Sequence, residues 1–340
     1  MKISSILIDQ EASLRKKIKV YKKVGREIQD FLSKHPSEWG RFQSQFNMEI
    51  NGIFRDLMNF EKQCFAKADE DSIYKLKRIF VNHLRKDFIH GEYLNWSLNK
   101  PYGYAGDFKI IEAIYLNDPK TQGFERLSDN YFQMSSICVA VRNRKEDFKN
   151  IIEDTIKKSE DKIKIMDLAA GPCRDIYEIL STHSSDDKEI IFHCYENDDR
   201  AIDHGKKLLG NDPRATFFKQ NAVRLALKKD SENPVEGDYD LIYSTGLFDY
   251  LDYRVSVRLI ENLRKLLKPS GILAISDVRD KLSNPSIYFM EWVADWNLIY
   301  REDEEFRKIF LDAGFSERDL DTHFEQQGIM QYVLAKKNTA

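Results

Sequence analysis

The residues best placed to bind a ligand stand where an apolar, strand-like segment gives way to a run of small residues. Segment 162–168 reads KIKIMDL and is followed by AAGPC. Small side chains let a backbone approach a ligand closely, and Asp167 stands where it can orient such a loop or reach a ligand amine. Glycines are usual at the positions of Ala169 and Cys173, and Gly171 is the one glycine of the turn. The pattern predicts a ligand-binding turn, with an ordinary strand–helix turn as the alternative.

A carboxylate, Glu196, follows the next strand-like segment. An acidic side chain in this position can accept hydrogen bonds from the ribose hydroxyls of a nucleotide. Nicotinamide-binding folds also bind a ribose through an acidic residue at this position. An acidic residue at a strand end often has no ligand role and is simply exposed to solvent. Glu196 alone therefore does not identify the ligand. A nicotinamide enzyme would also be expected to show G-x-G-x-x-G after the first strand, which this turn lacks. The two observations together favour a nucleoside ligand that has no pyrophosphate.

Later strand-like segments also end in residues that could contact a ligand. The third is followed by Asn221 and Ala222, where a short polar side chain and a backbone amide can read an adenine edge. The fourth ends in Ser244 and Thr245, and the fifth is introduced by LLKPSG. Because the carboxyl ends of parallel strands meet at one edge of a sheet, these residues predict a single binding edge.

These segments alternate with helical ones. Strand-like runs lie at 162–168, 189–195, 215–220, 239–245 and 271–277, and helical stretches at 175–180, 200–209, 222–229 and 255–267. Near-continuous apolar strands of this kind are typical of a parallel, doubly wound sheet with helices on both faces. Two further β-like runs around Gly328 predict a terminal antiparallel hairpin, which is uncommon in dinucleotide-binding folds.

The first half of the chain has helical periodicity instead. One helical face carries apolar residues at Phe42, Phe46, Ile50, Ile53, Phe54, Leu57 and Phe65. A chain of 340 residues is long enough for two structural units. We therefore expect a helical N-terminal or lid domain at 1–158 and an α/β domain at 159–340. An aromatic-rich helical cap is expected as an insertion near 284–314.

Two motifs in the helical half could do chemistry. In the ordered loop NKPYGYAGD, Tyr102 and Tyr104 could stack over a cationic group and exclude water, or could form an aromatic-capped turn. Asp107 could cap the following helix or bind a ligand ammonium. Either Arg142 or Arg144, just ahead of the first strand, could clamp a carboxylate in a bidentate way, or both could line a solvated basic face.

Bulk composition argues against several classes of function. Lys and Arg total 53 against 56 Asp and Glu, so the chain has no net positive charge that would favour binding to nucleic acid. The 4 cysteines have no Cys-x-x-Cys spacing and the 7 histidines form no ligand pair with them, so we expect neither a metal site nor a disulfide framework. No run approaches about eighteen apolar residues, so we expect no membrane span and a cytoplasmic protein.

Across residues 160–340, these segments resemble the successive motifs of class I S-adenosylmethionine (SAM)-dependent methyltransferases. The LLKPSG approach to the fifth strand is the most specific of them. The resemblance implies a Rossmann-like, doubly wound, seven-stranded sheet with SAM as the cofactor. It implies that Asp167, Ala169 and Gly171 face the methionine part of SAM, and that Glu196 binds its ribose.

The remaining strand ends receive roles from the same resemblance. Asn221 and Ala222 would lie at the adenine, and Ser244 and Thr245 where the fourth strand reaches the sulfonium and the substrate. The segment 100–107 and the stretch 290–301 also resemble bacterial methyltransferases of 3-hydroxypalmitic acid methyl ester biosynthesis, which make a fatty-ester quorum signal.

The sequence therefore favours a SAM-dependent methyltransferase that O-methylates the carboxylate of a small or fatty organic acid, with a hydroxylated fatty acid suggested by the resemblance. A carboxylate is already ionised, which fits a chain without an evident catalytic His or Cys dyad. Two alternatives remain open. One is intramolecular cyclisation of SAM at the same site, and the other is a non-catalytic SAM-binding or interaction module. Nothing in the sequence specifies the oligomeric state.

Overall fold

The computed structural model describes residues 5–183, 188–210, 212–227, 237–283 and 285–338. It divides into two compact units. The helical unit comprises Met1–Val139 and Lys281–Asn297, and the sheet unit comprises Ala140–Asp280 and Leu298–Ala340. The sequence placed the boundary at residue 158 and assigned the whole of 284–314 to the second domain, so the two divisions differ at both places.

Six helices in the described residues build most of the helical unit. They are α1 (Ser5–Leu32), α2 (Gln43–Ala66), α3 (Glu70–His83), α4 (Glu92–Asn99), α5 (Phe108–Leu116) and α6 (Gly123–Met134). The apolar face predicted from Phe46 to Leu57 is confirmed, because its residues are buried along α2. Phe65 departs from that face and is 44% exposed near the end of the helix.

The sheet unit contains seven strands within the described residues, in the order β3-β2-β1-β4-β5-β7-β6. Their bounds are β1 Lys162–Leu168, β2 Glu189–Glu196, β3 Ala215–Lys219, β4 Tyr239–Thr245, β5 Leu267–Val278, β6 Leu320–Phe324 and β7 Met330–Lys336. The pairs among β1 to β5 are parallel, and β7 is antiparallel to both β5 and β6. The predicted doubly wound sheet and its terminal hairpin are both confirmed.

The remaining helices precede β1 or connect the strands up to β6. They are α7 (Ser136–Lys158), α8 (Arg174–Thr182), α9 (Asp199–Leu208), α10 (Ala222–Leu227), α11 (Tyr253–Leu266), α12 (Pro285–Trp292) and α13 (Asp303–Asp312). Of the helix predicted at 222–229, residues 228 and 229 lie outside the described residues. The region expected to be one long helical cap is two helices, because residues 293–302 are not helical and Asp295 takes a left-handed φ of 52°.

Packing explains why the units divide where they do. The ring of Phe289 on α12 lies 5.3 Å from Phe54 and 4.9 Å from Tyr131, so the insertion helix completes the core of the helical unit. On α7, Phe148 packs 5.2 Å from Tyr332 of β7 and 6.1 Å from Tyr243 of β4, which ties most of this helix to the sheet. The lid role expected for the helical half stays a prediction.

The glycine of the LLKPSG motif has a steric reason. A Cβ on Gly271 would lie 2.8 Å from the carbonyl oxygen of Tyr239 and 3.3 Å from that of Asp240. Only glycine lets β5 approach β4 this closely at the register shift between Tyr239 and Leu241. Separately, a search of the described helices finds none that is long and apolar enough to cross a membrane.

Candidate active site

The carboxyl ends of β1 and β4 lie side by side where the strand order reverses. The chain proceeds from β1 to β2 and β3 on one side, and β4 and β5 lie on the other. Asp167 is paired with Cys194 on β2 and with Tyr243 on β4. Ligands of open α/β sheets bind outside the carboxyl ends at such a switch point. The structure thus brings the strand-end residues named from the sequence to one edge.

Three residues of the turn after β1 have positive φ values, which favour glycine, although only one of the three is a glycine. Ala169, Gly171 and Cys173 have φ values of 60°, 55° and 54°. The turn is held by β2, since the backbone N–H groups of Ala169 and Ala170 donate to the Tyr195 carbonyl at 2.8 and 3.3 Å. Left-handed φ is unfavourable for residues with a Cβ, so Ala169 and Cys173 store strain in a loop that faces the ligand edge.

The variants Ala169→Gly and Ala170→Gly form a matched pair that tests this strain, because only Ala169 has a positive φ. Glycine at Ala169 should relieve about 1–2 kcal/mol of left-handed strain against roughly 0.5–1 kcal/mol of added unfolded-state entropy. We expect a small gain in the free energy of unfolding for Ala169→Gly. Ala170 has no positive φ, so its replacement by glycine should cost about 0.5–1 kcal/mol. Urea unfolding followed by circular dichroism measures both, and equal losses would contradict the strain.

Glu196 ties the end of β2 to the turn after β1. Its Oε2 accepts a hydrogen bond from Gly171 N at 3.0 Å. Its Oε1 accepts from Asn197 N at 2.7 Å and from Asp198 N at 3.0 Å. A carboxylate offers about four lone-pair sites, so capacity for a hydroxyl donor remains, and a second hydroxyl would have to displace one backbone contact. The half-buried side chain therefore both organises the loop and suits a ribose.

Asn221 and Ala222 form the start of α10. The Asn221 Oδ1 accepts from Arg224 N at 3.0 Å, which is the geometry of a helix N-cap. Ala222 is 9% exposed and belongs to the apolar core of the sheet unit. The cap gives Asn221 a structural role, and adenine recognition by these two residues stays a prediction.

Ser244 and Thr245 end β4 with different environments. Ser244 is fully buried, and its Oγ donates to the Leu168 carbonyl at 2.7 Å, so it fastens β4 to β1. Thr245 is half-buried and pairs with Ser276 on β5. Because side chains alternate along a strand, the two cannot face the same side. Thr245 is therefore the better placed of the two for a ligand role.

Asp167 belongs to a buried carboxyl pair. The side chain is 3% exposed, and Asp175 in the first turn of α8 accepts a hydrogen bond from the Tyr243 hydroxyl at 2.8 Å. Burial, reinforced by the nearby Asp175, raises the pKa of Asp167 well above its usual range. Burial also raises the pKa of Asp175. A cationic ligand group near this pair would stabilise the ionised form of both acids.

Arg144 is a buried guanidinium beside the turn that follows β4. It is 3% exposed, and its Nη2 atom would lie 3.1 Å from a Cβ placed on Gly246. Its Nη1 is 3.7 Å from Asp249 Oδ2 and 3.2 Å from the Met330 sulfur, a weak acceptor. In the described part of the chain its Nε has no hydrogen-bond partner. Such a group retains unused donors for an anion.

Arg142 lies two positions earlier on α7 and is half-buried. Residues two apart on a helix do not face the same side, so Arg142 and Arg144 are alternatives for the carboxylate-binding role. Of the two candidates, Arg144 is the one whose contacts place it at the end of β4.

The aromatic loop of the helical unit is internally packed. Tyr102 stacks on Phe108 at 5.4 Å and meets the Trp96 ring edge-on at 5.3 Å, whereas Tyr104 is 40% exposed. Asp107 is 1% exposed and caps α5, accepting from Lys109 N and Ile110 N at 3.0 Å each. The Asp107 Oδ2 also accepts from Trp96 Nε1 at 2.8 Å. The roles of these three residues toward SAM stay predictions.

Asp107→Ala separates the two roles given to this residue. Loss of the cap and of the buried Trp96 contact should cost about 1–3 kcal/mol in unfolding free energy. If Asp107 only caps α5, the variant's affinity for S-adenosylhomocysteine, measured by calorimetry, should equal that of the wild type. Asp107→Asn, which keeps an N-cap acceptor, is the control. A large loss of affinity at wild-type stability would instead favour contact with the ligand ammonium.

Sequence reasoning missed three charged residues next to this site, namely Asp249, Asp277 and Arg301. Asp249 and Asp277 are 4% and 0% exposed, and Arg301 is 2% exposed. The sequence does carry a signal for the two acids. Asp277 stands near the end of an otherwise apolar strand, and Asp249 lies in an apolar segment after β4. Their partners are far apart in sequence, so only the folded chain shows which charges meet.

Comparison with known proteins agrees with this architecture. The model of the family described as "Putative methyltransferase" matches residues 103–337. A "possible exported protein" from Bordetella parapertussis is 17% identical, with a TM-score of 0.59, over 72% of this chain and 86% of that one. Magnesium protoporphyrin IX methyltransferase from Synechocystis PCC 6803, with bound S-adenosylhomocysteine, is 11% identical, with a TM-score of 0.48, over 72% and 97%.

The N-methyltransferase NodS from Bradyrhizobium japonicum WM9, in complex with S-adenosylhomocysteine, is 13% identical, with a TM-score of 0.42, over 68% of this chain and 98% of that one. No curated protein matches the chain significantly. The likeness to the Bordetella parapertussis protein is low in identity and concerns the fold alone. The family match spans more than half of the chain and includes the whole described sheet and its strand-end residues. The chain therefore belongs to this methyltransferase family and is an enzyme with the class I methyltransferase fold.

Proposed function

We propose that this enzyme transfers the methyl group of SAM to the carboxylate of a small or fatty organic acid. The observation that carries the proposal is Arg144, a buried guanidinium at the end of β4 whose Nε lacks an acceptor among the described residues. Guanidinium binds carboxylates in a bidentate way, and a buried one without enough acceptors favours an anionic ligand.

SAM is the cofactor, and the residues at the sheet edge fit it. The small residues 169–171 leave room for close approach, and Glu196 retains acceptor capacity for a ribose hydroxyl. The buried Asp167 and Asp175 suit a cationic ammonium, which would lower their raised pKa values. SAM supplies an electrophilic methyl group on its sulfonium. SAM has no pyrophosphate, so its binding does not require further pyrophosphate-binding glycines in the turn after β1.

The chain's own contribution to the reaction is alignment. An ionised carboxylate oxygen is already a nucleophile, so no side chain has to remove a proton. Holding such an acceptor in line with the methyl group, with water excluded, can supply several kcal/mol of the barrier reduction, on the order of 7–11 kcal/mol at best. Thr245, half-buried at the end of β4, is the residue we assign to positioning the acceptor.

The finer choice of acceptor rests on resemblance. The loop at 100–107 and the stretch 290–301 resemble enzymes that form a methyl ester of a 3-hydroxy fatty acid. We therefore propose 3-hydroxy fatty acids as the first acceptors to test, with simple fatty and aromatic acids beside them.

The test uses the full chain and SAM with an isotopically labelled methyl group. Each candidate acid is incubated with enzyme and labelled SAM, and the product is treated with mild alkali. Methyl esters hydrolyse and release labelled methanol, whereas methyl ethers and methylamines retain the label. We expect S-adenosylhomocysteine to form together with an alkali-labile product for at least one acid.

The other outcomes each contradict the proposal in a different way. An alkali-stable label would indicate a hydroxyl or amine acceptor. Methylthioadenosine in place of S-adenosylhomocysteine would indicate cyclisation of SAM. Binding of SAM without either product across the acid panel would favour a binding module.

A further inference from the structure

The 28-residue helix α1 of the helical unit carries positive charge on one side. Residues 12–26 contain seven Lys or Arg and no acid, although the whole chain has a formal charge of −3. Subtracting these seven positive charges from −3 leaves −10 for the other 325 residues, so α1 differs sharply from the rest of the chain. Lys17 turns toward α2 and pairs with Asp56 at 2.6 Å. The other six are exposed, and we call them the basic face: Arg15, Lys16, Lys19, Lys22, Lys23 and Arg26.

Helical spacing and core packing keep the basic face on the outer side of α1. Its members recur at intervals of three, four and seven residues, which is the spacing of one side of a helix. The opposite side is packed in the core of the helical unit, where Leu14, Ile18 and Tyr21 are buried. From Arg15 to Arg26 the basic face is about 16 Å long. It is therefore a straight, outward-facing strip of positive charge on a fixed helix.

Acids of the protein neutralise only part of the basic face. Three of its members form surface ion pairs: Arg15 with Glu11 at 2.8 Å, Lys22 with Asp87 at 3.0 Å and Lys23 with Glu27 at 4.0 Å. Lys16, Lys19 and Arg26 have no acidic partner within the described residues. Exposed ion pairs are weak, so the paired members can also turn to an external anion. The basic face thus retains positive charge for a partner outside the chain.

The composition of this side of α1 favours one kind of polyanion. Four of the six basic residues are Lys, a point charge without the planar fork that reads nucleic-acid bases. The one aromatic residue of 12–26 is Tyr21, which is buried and cannot stack on a base. Two aliphatic residues are exposed instead, Ile8 at 55% and Val20 at 47%, and Ile8 lies five turns before Arg26 on the same side. Lysines with exposed aliphatic residues are typical of helices at anionic bilayer surfaces.

We propose that the basic face binds the anionic headgroups of a lipid bilayer, so that the helical unit attaches reversibly to a membrane surface with α1 parallel to it. Each Lys or Arg near such a surface contributes roughly fivefold to the affinity. The apolar side of α1 stays in the protein core, so the attachment is electrostatic and peripheral. Fatty acceptors of the kind proposed above concentrate in bilayers, and attachment would bring the enzyme close to them. Only this last link rests on the proposed function.

The experiment measures cosedimentation of the full chain with large unilamellar vesicles. One set of vesicles is phosphatidylcholine alone, and in the other about a third of the lipid is phosphatidylglycerol, whose headgroup is anionic. Binding is measured at about 0.1 M and about 1 M salt, where the screening length is about 10 Å and about 3 Å. We expect binding to the phosphatidylglycerol vesicles at the lower salt, little binding to phosphatidylcholine, and loss of binding at the higher salt.

Two double variants locate the binding surface. Lys16→Gln with Lys19→Gln removes two charges from the basic face and keeps good helix formers. At roughly fivefold per charge, it should bind the phosphatidylglycerol vesicles roughly 25-fold more weakly. Lys206→Gln with Lys207→Gln removes two charges from the exposed last turn of α9 in the sheet unit, and should bind as the wild type does. Circular dichroism checks that both variants are folded.

Equal binding to the two kinds of vesicle, or binding that survives the higher salt, overturns the proposal without any variant. Wild-type binding by the folded Lys16→Gln, Lys19→Gln protein overturns it as well. Duplex DNA is the competing polyanion, and tighter binding to DNA than to the vesicles, lost in the same variant, would assign the basic face to nucleic acid instead. These measurements contain neither SAM nor an acceptor, so their failure is distinct from an alkali-stable product in the labelling assay.

Discussion

Glu196→Ala should weaken binding of S-adenosylhomocysteine by roughly 30- to 1000-fold, equivalent to about 2–4 kcal/mol. The variant removes the carboxylate that accepts from Gly171 N and that we assign to the ribose. Hydrogen bonds to a charged group contribute more than neutral ones, and the variant removes both the ribose contact and the acceptor that organises the turn after β1. Calorimetry at fixed pH measures the change.

Two variants show whether the loss belongs to the carboxylate at this end of β2. Glu189→Ala removes an acid from the opposite end of the same strand, where it pairs with Lys162 at 3.0 Å on the surface. It should leave the affinity unchanged. Glu196→Gln keeps one acceptor oxygen and should lose less than Glu196→Ala. Unchanged affinity in Glu196→Ala would remove Glu196 from the cofactor site.

Arg144→Met should weaken binding of the carboxylate-bearing ligand by roughly 10- to 150-fold, from loss of a bidentate contact of about 1.5–3 kcal/mol. Methionine keeps much of the volume of the buried side chain, so the change removes chiefly charge and donors. Arg144→Lys keeps the charge but not the planar fork, and should recover little of the affinity. Dissociation constants and acceptor KM values are measured together.

The two sources of carboxylate give opposite patterns. If Arg144 holds the acceptor, the acceptor KM rises while S-adenosylhomocysteine affinity is kept. If it holds the amino-acid part of SAM, S-adenosylhomocysteine binding weakens while methylthioadenosine binding does not. Arg142→Met, two residues away on the same helix, is the matched control and should change neither. Wild-type values for both ligands in Arg144→Met would refute anion binding by Arg144.

Much of the sheet unit could be predicted because its signals are local. The strand β1 runs over the segment predicted for it, and β4 does too, because a parallel strand buried on both faces must be apolar along its length. The motif LLKPSG could be recognised from residues that are adjacent in sequence. Its steric cause, the approach of Gly271 to the carbonyl of Tyr239, appears only when the two strands pair.

The helical insertion was harder to place for a physical reason. An aromatic stripe at helical spacing predicts a buried helix but carries no information about its partner. Phe289 packs against Phe54 and Tyr131, which come from a much earlier part of the chain. The sequence therefore indicated burial of this region, and tertiary packing decided that α12 completes the helical unit.

By itself, the sequence determined the class of fold, and it predicted which edge of the sheet binds the ligand and which types of residue lie at that edge. Tertiary structure decided which of these residues retain unused hydrogen-bond donors or acceptors for a ligand. It gave Asn221, Ser244 and Asp107 hydrogen bonds within the protein, and it left Arg144 buried with an unused donor among the described residues. The reason is that hydrogen-bond saturation and burial depend on neighbours distant in sequence, whereas strand periodicity and turn composition depend on neighbours along the chain.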